Sequence, residues 1–172
     1  MATSRGCKGW AARVTCLAVL CAMAVPASAA GGGGGGRSGT APGESDKDYQ
    51  AAVGAIKAER YAEAIPLLTA YVARAPADAN GENWLAFAYR KSGQLDAAFD
   101  HYGKALAIDP DHRGAHEYIG EAYLMAGNLP KAEEHLRILD RLCFFPCEEH
   151  SDLKKAVAAY KASTGVATAP TK

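Results

Sequence analysis

Ala88-Tyr-Arg-Lys-Ser-Gly-Gln-Leu-Asp-Ala-Ala-Phe-Asp-His-Tyr-Gly-Lys-Ala-Leu-Ala-Ile-Asp-Pro110 holds the end of one helix, a turn, a second helix and a stop. Leu85, Ala86 and Tyr89 fall on one helical face, and Leu95, Ala98, Tyr102, Ala105 and Leu106 fall on the next, which predicts two amphipathic helices. Gly93 stands between them and supplies the positive φ that a tight helix-to-helix turn uses. Ala86 and Ala98 are small where the two helices cross, because larger side chains would separate them. Asp109-Pro110 then stops the second helix, since a proline pushes the residue before it out of the helical region.

The pattern repeats in both directions. Three segments align without a gap at a spacing of thirty-four residues, at 45–78, 79–112 and 113–146. Pro76 and Pro110 close the first two, with Phe144 in the third place. Ala64, Ala98 and Ala132 coincide, as do Tyr61, Leu95 and Leu129, and Leu68, Tyr102 and Leu136. Tyr89 matches Tyr123, Gly93 matches Gly127, and Ala86 matches Gly120. Pro130 suits the first turn of its helix, where a missing N–H costs little, and Pro66 lies slightly deeper. After the third segment, Leu153, Val157 and Tyr160 form one apolar stripe with lysines opposite. That predicts a helix over 148–162 which covers the last hydrophobic face of the stack.

Ala88 to Pro110, and Gly120 to Ala132 (Gly-Glu-Ala-Tyr-Leu-Met-Ala-Gly-Asn-Leu-Pro-Lys-Ala), resemble the tetratricopeptide repeat signature. In the first segment Ala55 replaces the usual tyrosine and Glu59 the usual glycine. The customary tryptophan is displaced: Trp84 sits two places late, and Asp48 and His116 hold the other equivalents. The resemblance implies an all-α right-handed solenoid of three helix pairs plus a capping helix, spanning 45–162. It also implies a concave face, lined by the leading helices, that holds a peptide or protein partner. Carried over place by place, that groove takes Tyr49, Val53, Ile56 and Lys57 from the first pair. The second pair gives Asn80, Asn83, Phe87, Arg90 and Lys91, and the third gives Glu117, Glu121, Leu124 and Met125. Phe87, Leu124 and Met125 are the expected apolar anchors, and Arg90 and Lys91 are expected to favour an acidic partner segment. Asn83 and Phe87 stand where a lysine and asparagine clamp for a C-terminal carboxylate would need its own residues, which disfavours a chaperone-tail ligand.

Around the repeats the chain changes character. Arg5, Lys8 and Arg13 precede a twelve-residue apolar run, Val14 to Val25, and then Pro26-Ala27-Ser28-Ala29-Ala30. Basic start, short apolar run and Ala-x-Ala site read as an export signal over 1–30, cleaved after Ala29 or Ala30. The expected destination is periplasmic or secreted. Residues 31–44 open with six glycines and read as a tether, and 163–172 as a tail poor in core-forming residues. No run of eighteen apolar residues exists, so no membrane-spanning helix is predicted. Lys plus Arg and Asp plus Glu number 19 each; without the three bases of the signal, 16 bases face 19 acids. That sign argues against a nucleic-acid binder held by phosphate contacts.

Outside the signal two cysteines remain, in Cys143-Phe-Phe-Pro-Cys147. An even count in an oxidising compartment points to a disulfide. Closing so small a loop contributes about 2 kcal/mol in the chain-entropy model, and it would fix the docking angle of the capping helix. The competing readings are a redox pair, which lacks the two-residue spacing and βαβ setting, and a metal site of Cys143, Cys147 and His150 with Glu148 and Glu149 nearby. His112 and His116 lie four apart, but His112 falls in a turn and no general-base glutamate accompanies them. His101 and His135 read as structural histidines beside the core. No nucleophile–base order, phosphate loop or paired-carboxylate arrangement is visible, so no enzyme activity and no cofactor are expected.

Overall fold

The computed structural model describes Gly43 and residues 45–145 and 147–165. The predicted signal (1–30), almost all of the tether and residues 166–172 of the tail lie outside the described residues, as does Pro146. Seven helices follow in order among the described residues: α1 Lys47–Lys57, α2 Tyr61–Arg74, α3 Ala79–Lys91, α4 Leu95–Ile108, α5 Arg113–Met125, α6 Leu129–Leu142 and α7 Glu148–Thr164. Each leading helix packs on its own second helix and on the next leading helix, the connectivity of an all-α solenoid.

The thirty-four-residue period governs the backbone itself. Helices α1, α3 and α5 end thirty-four apart, and α2, α4 and α6 both begin and end thirty-four apart. The turn is the same each time. The N–H of Arg60, Gln94 and Asn128 donates to the carbonyl of Ala55, Tyr89 and Tyr123 at 2.8, 2.9 and 2.8 Å. The N–H one residue earlier donates to Ile56, Arg90 and Leu124. This two-bond closure satisfies carbonyls that a helix end otherwise orphans. It requires positive φ at its centre, found at Glu59 (58°), Gly93 (78°) and Gly127 (75°). Only glycine adopts that conformation without a Cβ penalty, which is about 1–2 kcal/mol for other residues. Glu59→Gly should therefore stabilise the chain by about 1 kcal/mol, read as a higher urea midpoint with an unchanged slope. An unchanged midpoint would mean that the first turn is not held as drawn.

The core is a line of small and large side chains. Ala52, Ala64, Leu68, Leu85 and Ala88 are buried in the first cluster, Ala86, Ala98, Tyr102 and Ala122 in the second, and Leu139, Leu153 and Val157 in the third. Tyr71 is buried too, and its hydroxyl donates to Asp78 Oδ2, while Asp78 Oδ1 caps α3 by accepting from the Asn80 N–H at 3.0 Å. Burial and that carboxylate together push the Tyr71 phenol well above its ordinary pKa. Pro66 lies inside α2, as expected, and Pro130 in the first turn of α6.

The seventh helix differs from expectation in two ways. It runs to Thr164, two residues beyond 162, and ends at Gly165 in a left-handed conformation. It also does more than cover the stack. A Cβ on Gly120 would come within 2.6 Å of Leu153 Cδ2, so α7 docks directly against α5, in closer contact than the leading helices α1, α3 and α5 make with one another.

Candidate functional site

Three rows of positions thirty-four apart line one cleft of about 350 Å³. The rows are Asn80, Gly114 and Glu148; Asn83 and Glu117; and Trp84, Tyr118 and Asp152. Successive helices α3, α5 and α7 thus contribute equivalent faces, and His112 and Glu149 complete the rim. Sequence reasoning placed Asn80, Asn83 and Glu117 here, and the structure brings these three together. It missed Trp84, Tyr118, Glu148 and Asp152, although Trp84 and Tyr118 share one register.

Other expected groove residues lie elsewhere. Ile56, Arg90 and Leu124 occupy one register position, and all three are buried. Ile56 joins the first core cluster and Leu124 the third, so neither serves as an exposed anchor. Arg90 is 6% exposed. Its Nη1 donates to Glu121 Oε2 at 2.7 Å, and its Nε donates to the Tyr102 hydroxyl at 3.3 Å. Its guanidinium carbon lies 5.1 Å from the Phe87 ring centroid and 5.5 Å from that of Tyr118. A cation so engaged is a structural hub, not an attractant for an acidic partner. Lys91 sits over the Tyr61 ring at the far end of the helices, away from the cleft. Phe87 is half-buried and edge-on to Trp84 and Tyr61, while Met125 is exposed. Tyr49, Val53 and Lys57 line a separate, shallower pocket on α1.

The cleft is acidic. Asp152 pairs with Lys155 at 2.8 Å and Glu149 approaches Arg113 at 3.8 Å, both at the exposed rim. Glu117 is 8% exposed. Burial first, and then Glu121, Asp152 and Glu149, push its carboxyl up to about 8, so it holds a proton at neutral pH. The same burial raises the Tyr118 phenol to about 12. Asn83 is 4% exposed and its Oδ1 has no hydrogen-bond partner.

The histidines have structural work. His112 caps α5: its Nδ1 accepts from the Ala115 N–H at 3.0 Å, which leaves Nε2–H to donate to Asn80 Oδ1 at 3.1 Å. His101 Nδ1 meets the buried Glu82 carboxylate at 2.6 Å. His116 Nε2 faces the Pro110 carbonyl at 2.8 Å, and its Nδ1 meets His135 Nδ1 at 2.9 Å. Glu82 and His116 hold the register of the displaced tryptophan, and each bonds a histidine on the following helix. Burial, then His116, lowers the His135 imidazole to about 4.

Cys143 ends α6 and Cys147 precedes α7, with Cα atoms 5.8 Å apart and sulfurs at bonding distance. His150 instead approaches Asp140 at 3.6 Å. No three His, Cys, Asp or Glu side chains converge as metal ligands among the described residues, and no helix there is long and apolar enough to cross a membrane.

A search of curated protein sequences finds no match. Among solved structures, the chain is similar to the Yersinia enterocolitica type III secretion chaperone SycD in complex with a peptide of the translocator YopD. They share 20% identity and a TM-score of 0.61, over 68% of this chain and 92% of that one. It is similar to the Sgt2 TPR domain from Aspergillus fumigatus at 24% identity and a TM-score of 0.62, over 75% and 87% of the two chains. The second TPR domain of human RPAP3, in complex with the HSP70 peptide SGPTIEEVD, shares 23% identity and a TM-score of 0.57, over 63% and 91%. Two models described as tetratricopeptide repeat match residues 49–112 and 89–141. With its period, turns and helix pairing accounted for residue by residue, the chain belongs to the tetratricopeptide repeat family.

Proposed function

We propose that this protein is an exported interaction scaffold that holds a segment of a partner protein along α3, α5 and α7 and performs no chemistry itself. The observation that carries the reading is the row of equivalent leading-helix positions that forms one cleft, flanked by the aromatic run of Trp84, Phe87 and Tyr118. Aromatic side chains beside polar groups in a concave surface are what interface anchors consist of. Similarity to the SycD and RPAP3 structures, each solved with a peptide, supports the same use. The export signal and the Cys143–Cys147 pair fit together, because a disulfide persists in an oxidising compartment. There the bond would act as a staple that sets how α7 leaves α6.

The test is partner capture by the full chain, compared between the parent, Trp84→Ala with Phe87→Ala, and a Lys104→Ala control outside the cleft. Capture should fall at least tenfold in the double variant and stay unchanged in the control. Equal capture by all three would move the interaction off this face.

A further inference from the structure

We propose that the cleft between α3, α5 and α7 takes a cationic side chain, an arginine above all, presented by the partner segment. This rests on the groove reading above and adds the chemistry of what the groove accepts. Asn83 lines this cleft, is 4% exposed, and its buried Oδ1 has no hydrogen-bond partner. A buried acceptor left unpaired is a standing cost in the folded chain, which the amide recovers by turning to a donor that enters the cleft. Beside it stands Glu117, a carboxyl with no salt-bridge partner of its own, and across the cleft stand Glu148 and Asp152. The cation nearest the interior, Arg90, is already committed to Glu121 and Tyr102. Four acids and neither lysine nor arginine line the cleft, the opposite of a carboxylate clamp.

Guanidinium suits this set better than ammonium. It is planar, carries five donors in a fixed fork, and lies favourably against aromatic faces such as Trp84 and Tyr118. A space of about 350 Å³ has room for such a head group and its stem. The partner segment need only pass along the same face, with its backbone beside Trp84 and Phe87.

The test uses the full chain in calorimetric titrations with acetylated, amidated (Gly-Arg)3, (Gly-Lys)3 and (Gly-Glu)3 peptides and with free argininamide. The arginine peptide should bind at least tenfold more tightly than the glutamate peptide and more tightly than the lysine peptide. Glu148→Gln with Asp152→Asn should weaken the arginine peptide at least tenfold. Both substitutions keep side-chain shape and remove repulsion between acids, so the double variant should fold. A preference for the glutamate peptide, or undiminished binding by the double variant, would overturn the cation assignment. Free argininamide binding as well as the peptide would overturn the part that assigns a polypeptide. These results stand apart from the capture experiment: loss of capture in Trp84→Ala/Phe87→Ala without any arginine preference retains the groove and removes only the cation.

Discussion

Gly120→Val should lower the melting temperature by about 10 °C and make residues 148–164 the first to be cut by protease. Even the Cβ alone would stand 2.6 and 2.8 Å from the two terminal carbons of Leu153 and 3.3 Å from its branch carbon. Leu153 is fully buried, so it has no solvent to turn into. The added volume must be met by moving α7 away from α5. Overpacking of this kind costs about 1–3 kcal/mol, and each kcal/mol corresponds to about 2–8 °C in chains of this size. Leu153→Ala alone should also destabilise, by about 2–5 kcal/mol, through the cavity it leaves. Combined, the two changes relieve each other, so the double variant should lose less than the sum of the single losses. Strict additivity, or an unchanged melting temperature in Gly120→Val, would mean that α7 does not dock here.

Arg90→Ala should cost about 3 kcal/mol, placing it among the most damaging single changes outside the apolar core. The substitution leaves Glu121 without its cation next to Glu117, and it leaves the fully buried Tyr102 hydroxyl without the donor that faces it. It also removes the cation that sits against the contacting rings of Phe87 and Tyr118. Glu121 keeps about a quarter of its side chain open to water (27%), which holds the loss toward the low end of the range for broken buried pairs. Lysine should rescue little, because one ammonium cannot serve a carboxylate, a phenol and two ring faces together. Urea unfolding provides the measurement, and a loss under 0.5 kcal/mol would remove Arg90 from its place as a hub. A binding defect in Arg90→Ala therefore reports on folding first, and the Trp84→Ala/Phe87→Ala variant is compared at matched urea stability because both rings also pack against the first core cluster.

The period of thirty-four residues, visible in Ala64, Ala98 and Ala132, carried most of the fold with it, down to helices that end at Lys57, Lys91 and Met125. Its phase about the helix axis was harder to read. Ile56, Arg90 and Leu124 differ so much in chemistry that no hydrophobic pattern marks their shared register as interior. Arginine enters that register because Glu121 balances its charge and the Tyr102 hydroxyl accepts one of its hydrogen bonds. Trp84 and Tyr118 carry a double role: two aromatic residues in one register pack against the core clusters on one side and wall a polar cleft on the other. Their own spacing was the available signal, and extending it by one more period reaches Asp152 on α7. The short turn at Cys143–Cys147 hides that extension, because the start of α7 is one residue out of step with α3 and α5.

That seventh helix supplies Leu153 to the last core cluster and Glu148 and Asp152 to the cleft. In the proposed function, one short segment therefore serves both the core and the groove. A single proteolytic nick within 148–164 would strip the wall from the cleft and uncover the apolar face of α5 and α6 in the same stroke. Under the function proposed above, release of the partner and loss of the last core cluster would then coincide.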